Sequence, residues 1–362
     1  LKIYASQGQQ YQPVDHDLLL SYAESAKGQI LEEGITEAGS MASFIAAATA
    51  YATRGVSTIP FYTFYSMFGF QRVGDLIWQA ADIRARGFLL GATAGRTTLQ
   101  GEGLQHQDGH SLVLASTVPP CQAYDPAFAY EVATIIQAGI HRMYGPDSDR
   151  PAGLEQDVFY YITLYNENYP MPAMPKGLDA AHIMRGLYRW AEAPEGKDRR
   201  VTLLFSGSAQ GAARAAAAEL AEYGVGVELW SATSYKALRD DALSAERWNR
   251  LHPHEPARTN IVSEVLAESQ GPIVAVSDFM KIVPEQISRF LPGRTFIPLG
   301  TDGMGRSDTR EALRDYFEVD AGHIVVAILS ALVADGTASA DEVQAAIARH
   351  NLNTEAPDPL DV

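Results

Sequence analysis

The 362-residue chain contains a single cysteine, Cys121. One thiol cannot close an internal disulfide and fits a reducing compartment, so a cytoplasmic location is expected. With no cysteine pair and no HExxH, zinc has no recognisable ligand set. Positive charge is also scarce: 28 Lys and Arg stand against 44 Asp and Glu, a net charge of −16. Such a surface repels polyanions, which argues against nucleic acid and anionic membrane as partners. Long apolar runs are missing. The longest, Ile324 to Ala334, is too short to cross a bilayer and is expected to form a buried helix. No GxSxG elbow points to a serine hydrolase, and no dinucleotide fingerprint points to an oxidoreductase of that kind. Gly300-Thr-Asp-Gly-Met-Gly305 lacks both the GxGxxG and the GxxxxGK[ST] spacing and is read as a turn. No signal peptide opens the chain, and it begins at Leu1 rather than methionine, which suggests a fragment or processed subunit.

What is there describes an ordinary globular protein, 46% hydrophobic and 20% charged, long enough for two cores. In the second half, strand-like apolar runs at 201–205, 225–230, 272–276 and 295–299 alternate with helical stretches at about 210–223 and 280–290. The first half alternates too. Strands are expected at 57–64, 87–92, 111–117 and 158–164, and helices at about 16–27, 36–54, 71–86 and 126–143. Residues 145–157 read as a polar surface loop. The proline-rich passage from Tyr169 to Lys176 starts the linker between two domains, placed at 1–185 and 186–362. Strands alternating with helices predict an α/β fold: two three-layer α/β/α domains, each with a parallel sheet.

Three clusters in the first half can carry chemistry. In Glu32-Glu-Gly-Ile-Thr-Glu-Ala-Gly39, Thr36 can cap a helix and place Glu37 in its first turn, a position that acidic residues favour through the helix dipole alone. Phe61 to Phe70 holds six aromatics in ten residues. Aromatics at this density are more often core than platform, although the polar ends of Tyr62 and Tyr65 would suit a flat ring. The third cluster, Gly95 to His110, has four glycines, two histidines, Arg96, Glu102 and Asp108. No hydrophobic period runs through it, so it is a loop. Glu102, His106 and His110 can do acid–base work there. The i, i+4 spacing of His106 and His110 would suit a metal on a helix, but Gly103 and Gly109 disfavour one.

In order, EEGITEAG, FYTFYSMFGFQR, GRTTLQGEGLQHQDGHS, YDPAFAYEV and ITLYNENYPMPAMP resemble the thiamine-diphosphate-dependent pyruvate dehydrogenase decarboxylating component of the homodimeric bacterial type. GVGVELWSATSY, RWNRLHP and LGTDGMGRSD extend the resemblance over essentially the whole chain. It implies a pyrimidine-binding domain followed by a transketolase-type C-terminal domain. It implies oxidative decarboxylation of pyruvate, with acetyl transfer to the lipoyl arms of an acetyltransferase core. By the same resemblance Glu37 hydrogen-bonds the pyrimidine nitrogen, Ile35, Tyr65 and Phe68 lie against the cofactor, and His106 faces the reacting substrate. Glu102 orients that loop, Arg72 has a structural or coupling role, and His110 lies behind the site. One departure stands out: the chain has no GDG, the motif that holds diphosphate and Mg²⁺ in this class. The diphosphate-binding domain is therefore expected outside these residues, on a second subunit of a homodimer, and this chain carries half a site with no metal ligand of its own. Alternatives are another thiamine-dependent 2-oxo acid or transketolase-type enzyme, or a non-catalytic dimerisation module.

Overall fold

A computed structural model describes residues 2–18, 22–145 and 157–361. Near the start, β1 (Ile3–Tyr4) and β2 (Glu24–Ser25) form a short parallel pair, followed by α1 (Glu37–Ala48) and α2 (Ala50–Thr53). Then come β3 (Phe61–Phe64), α3 (Ser66–Asp82), β4 (Gly87–Ala92), α4 (Ser111–Ser116), β5 (Cys121–Tyr124), α5 (Ala129–Tyr144) and β6 (Phe159–Leu164). Their four strands form a parallel sheet in the order β3-β4-β6-β5.

In the second half, α6 (Ala180–Arg185) precedes β7 (Tyr188–Ala191), β8 (Arg199–Phe205), α7 (Gln210–Leu220), β9 (Val225–Ser231), α8 (Tyr235–Leu251) and α9 (Ile261–Val265). The chain continues through β10 (Ile273–Val276), α10 (Ile282–Glu285), β11 (Phe296–Leu299), α11 (Arg310–Tyr316), α12 (Ala321–Ala334) and α13 (Ala340–His350). The second sheet has the order β11-β10-β8-β9-β7, parallel except for β7, which runs antiparallel to β9.

Both sheets are buried on both faces, which is why their strands read as continuous apolar runs. Leu89 and Phe159 pack with Met41 of α1, Ile77 of α3 and Leu112 of α4, while their neighbours Phe88 and Tyr160 pack with Ile135 and Met143 of α5. In the second sheet Leu204 faces Leu238 and Val262, while Leu203 and Phe205 face Ala213 of α7 and Ile328 of α12. Period-two alternation thus sorts each strand between two helix layers. Within Arg310–Ala334 an 18-residue window reaches mean hydropathy 1.8, but half of that window is buried and the stretch is two helices rather than one.

Two buried carboxylates join the halves. Asp125, just past β5, accepts from Thr163 Oγ1 and Ser206 Oγ, each at 2.6 Å, and from Tyr165 OH. Glu131 of α5 accepts from the main-chain nitrogens of Ala127 (2.6 Å) and Phe128 (3.1 Å), and from Tyr188 OH and Ser231 Oγ, both 2.6 Å. Burial pushes both carboxyls above the usual carboxylate range, against the pull of these donors.

The structure corrects several sequence expectations. Residues 111–117 are not a strand but α4. Asp108 Oδ1 accepts from the nitrogens of His110 (3.0 Å) and Ser111 (2.8 Å), which starts a helix, and a short buried apolar run does not by itself distinguish the two. The strand lies just beyond, in β5. No helix spans the described part of 16–27: Glu24–Ser25 pairs with β1 instead, with Ile3 N donating to Ala23 O and Ala5 N to Ser25 O, both 3.0 Å. Tertiary pairing overrides local propensity there. The expected helix at 280–290 is reduced to α10 and a 3-10 turn at Ser288–Phe290, and Pro284 lies within it. The first expected strand shortens to β3, after Pro60. The antiparallel β7 and the long helix α8 were not foreseen, and most of the loop expected at 145–157 lies outside the described residues.

Because Glu131 satisfies four buried donors, Glu131→Ala is expected to cost about 3–5 kcal/mol, since those donors lose their acceptor together. Denaturant unfolding measures it. A loss under about 1 kcal/mol would mean that the seam does not depend on this carboxylate.

Candidate active site

Thr36 caps α1, its Oγ1 accepting from Gly39 N at 3.2 Å, and this fixes Glu37 in the first turn as expected. Tyr62 OH, from β3, donates to the Glu37 carbonyl at 3.2 Å. The Glu37 carboxylate points to α3, where Arg72 Nη1 pairs with its Oε1 at 2.9 Å. The Arg72 guanidinium in turn lies 4.0 Å from the centroid of the Phe68 ring. One residue later α3 is broken at Val73 (φ −123°, ψ 25°), beside Gly74.

Tyr65 stands at the start of α3 and Phe68 one turn along, their ring centroids 5.8 Å apart. His106, from the distant Gly95–His110 loop, completes the group: its ring lies 5.3 Å from Tyr65 and 5.2 Å from Phe68. Glu102 Oε2 is 3.4 Å from His106 Nδ1, close enough for charge attraction but not aligned as a hydrogen bond. Three separated segments therefore meet here, bringing Glu37, Tyr65, Phe68, Arg72, Glu102 and His106 into one chain of contacts. Ile35 lies one residue before the cap and is fully exposed. His110 stands outside the ring cluster, its Nε2 2.9 Å from Gln71 Oε1 on α3.

The cluster is open. Tyr65 is 41% exposed, and Glu102 and Arg72 also reach solvent. A carboxylate, two tilted aromatic rings and an imidazole at an open face can accept a hydrogen bond from a heteroaromatic ring, stack on it, and exchange protons with what it carries. The two histidines have separate partners and do not converge as metal ligands. The candidate metal-binding group among the described residues, Asp315, Asp320 and His323, includes neither. A cavity of about 610 Å³ lies between α5 and α6 against Gln137, His141, Tyr144 and Met184, and contains none of the clustered residues.

Sequence reasoning missed how the histidine loop is held. Arg96, Gln107 and Asp108 are buried within it, and Asp278 is buried across from it. The available signal was positional: Asp125 and Asp278 each stand just past an apolar strand, where a charge is otherwise out of place.

Comparisons with known proteins identify the family. The family described as the pyruvate dehydrogenase E1 component middle domain matches residues 1–172, and the transketolase-like C-terminal domain matches residues 186–320. The pyruvate dehydrogenase E1 component of Pseudomonas aeruginosa is 50% identical over 362 residues, all of this chain and 40% of that protein. Its Escherichia coli K12 counterpart is 49% identical over 358 residues, 99% of this chain and 39% of that protein. The chain thus spans about two fifths of these relatives' length. Among solved structures, transketolase from Leishmania mexicana superposes with a TM-score of 0.62 at 17% identity, over 94% of this chain and 44% of that one. A chain described as a split-gene transketolase, inactive β4 tetramer, gives 0.58 at 18% identity, over 84% and 83%. At these identities the structural likeness concerns the fold.

Arg72 and Glu37 form a solvent-exposed pair, and such pairs contribute about 0–1 kcal/mol. Arg72→Leu is therefore expected to shift thermal stability by about 1 kcal/mol or less while freeing the Glu37 carboxylate. A shift above about 2 kcal/mol in a melting experiment would make the pair a structural strut instead.

Proposed function

Because the chain belongs to the pyruvate dehydrogenase E1 component family, we propose that it furnishes the pyrimidine half of a thiamine diphosphate site that decarboxylates pyruvate and passes the acetyl group to lipoyl groups. The observation that carries this reading is the convergence of Glu37, Tyr65, Phe68 and His106 from separate segments onto one open face.

The residues fit the cofactor by their chemistry. When bound, thiamine diphosphate supplies a nucleophilic thiazolium carbon that adds to the keto group and takes up the electron pair released with carbon dioxide. Glu37 holds a proton at the pyrimidine nitrogen, which a carboxylate can do and an amide cannot. Tyr65 and Phe68 give the pyrimidine a wall, worth about 0.5–1.5 kcal/mol beyond burial for each stacked pair. Arg72 aims the Glu37 carboxylate through its 2.9 Å contact. His106 donates or accepts a hydrogen bond at the substrate's oxygen, and Glu102 biases its ring. Ile35, exposed beside the cap, adds an apolar contact to the ring.

We assign the pyrimidine contacts to residues 1–185, and to residues 186–362 the support of the loop that carries His106. Diphosphate and Mg²⁺ ligands fall to a second subunit carrying the diphosphate-binding domain, in a homodimer that delivers acetyl groups to a lipoyl acetyltransferase core. This division is supported by the absence of a GDG motif between residues 1 and 362.

Two measurements test the reading. Calorimetric titration of this chain alone should show weak thiamine diphosphate binding, because only half of the contacts are present. Tight, Mg²⁺-dependent binding would overturn the half-site assignment. In the complete enzyme, Glu37→Gln should lower turnover at saturating cofactor by about 10²–10⁴. Near-normal turnover would reduce Glu37 to an ordinary helix-start acid and favour a non-catalytic module.

A further inference from the structure

The loop that carries His106 is held mainly by the second half of the chain. A single short segment after β10 grips both of its ends. Asp278 Oδ1 accepts from Thr97 N at 2.9 Å and from Arg96 N at 3.2 Å, at the loop's entrance. Met280 N donates to Gly109 O at 2.9 Å, at its exit. The neck between them is closed by an antiparallel bridge from Gly95 to Asp108. The Arg96 guanidinium crosses to the carbonyls of Thr301 and Gly303. Beside His106, the buried Gln107 side chain accepts from Arg306 N at 2.8 Å and donates to Leu99 O at 2.9 Å. Further along, Gly101 N donates to Asp308 O at 3.2 Å and Arg310 Nε to Thr98 O at 2.9 Å.

Within this clasp Asp278 is the one carboxylate that the second half extends to the loop's main chain at its entrance. It is 2% exposed, and its other oxygen accepts from Ser208 Oγ at 3.1 Å. A buried charge without such donors would be costly, so its position and that of the loop determine each other. The Asp278 contacts lie among peptide nitrogens and a serine hydroxyl, not among the rings of the site.

We propose that Asp278 is a positioning residue for His106: by clasping the peptides of Arg96 and Thr97 it fixes the loop that sets the imidazole against Tyr65 and Phe68. The proposal rests on the reading of His106 as the substrate-facing group. Asp278 makes no contact with the reacting atoms and acts through the loop. A displacement of the order of 1 Å at a reacting group can cost about a hundredfold in rate, so the clasp matters to turnover more than to binding.

The test uses the complete, thiamine-diphosphate-loaded enzyme. Asp278→Ala should lower kcat by about ten- to a hundredfold, leave the KM for pyruvate within about twofold, and release the Thr97 amide to hydrogen exchange. Asp278→Asn should restore most of the turnover, because its carbonyl oxygen still serves both amides and its NH₂ can face Ser208. Gly95→Ala, whose Cβ would collide with Asp278 Oδ2, opens the same clasp from the loop side and should reproduce the alanine variant even if that one folds poorly. Combined with His106→Ala, Asp278→Ala should add little further loss, since both act at one point. Losses that multiply, a lowered kcat that merely follows the folded fraction, or an asparagine variant as impaired as alanine would overturn the proposal. If His106→Ala itself keeps full turnover while the Thr97 amide still loses protection in Asp278→Ala, the clasp holds the loop but His106 is not its catalytic cargo, and the positioning role is overturned along with that reading.

Discussion

Everything at the centre of this fold depends on carboxylates buried where the two sheets meet. Asp125, Glu131 and Asp278 stand near strand or helix ends, and each takes at least one donor from the opposite half of the chain: Ser206 for Asp125, Ser231 and Tyr188 for Glu131, the Arg96 and Thr97 amides for Asp278. A buried anion tolerates no misfit, because a lost donor leaves charge in a low-dielectric interior. The two halves are thus locked in register by polar groups, whereas apolar contacts alone would permit sliding. Burial pushes the Asp278 carboxyl up to about 6, above its ordinary value of about 4. A group that binds its proton more tightly when folded favours the fold in acid. That contribution is present below about pH 4 and lost as pH rises to about 6. At neutral pH this proton-linked contribution is gone, and the ionised Asp278 is held by the donors that clasp it.

The outward-facing side of the first half has the opposite character. Ile35, Phe61, Tyr65 and Trp78 are all exposed, as are Ile30 and Leu31 in the segment leading to α1. Exposed apolar side chains near the ring cluster, Ile35 and Tyr65 among them, are the kind of surface that a partner covers. That cover is what the proposed second subunit would bring, along with the ligands for diphosphate.

Much of this was legible in the sequence, for identifiable reasons. Strands such as Phe159–Leu164 and Val225–Ser231 are continuous apolar runs, and the cap at Thr36 obeys local rules, so both could be read directly. The candidate site residues came through resemblance, because their order along the chain is distinctive even though their spacing is not. What failed was decided by distant partners. Ser111–Ser116 is apolar enough for either a strand or a helix, and Asp108 together with Tyr161 OH, which donates to Ser111 Oγ at 2.8 Å, settles it as a helix. The segment after Pro13 pairs with β1, a contact that no local window contains. Gln107 was invisible for the same reason, its partner 199 residues away, and Asp278 showed only its place past a strand, not its partner 181 residues away.

The histidine loop shows how shape and chemistry divide among its residues. Gly95 has φ +82° and is packed so tightly against Asp278 that a side chain would collide with its carboxylate. Gly109 leaves no room either, because the Arg96 side chain fills the space a Cβ would need. Both glycines therefore answer to the clasp. With the ends held by the second half of the chain, the stretch between them projects from the seam, and His106 is the side chain placed against the aromatic wall. A histidine carried on an unanchored glycine-rich loop would sample many orientations and spend little time in the productive one. Anchoring both ends to one strand terminus removes that freedom in folding, so the ordering cost is met before any ligand arrives.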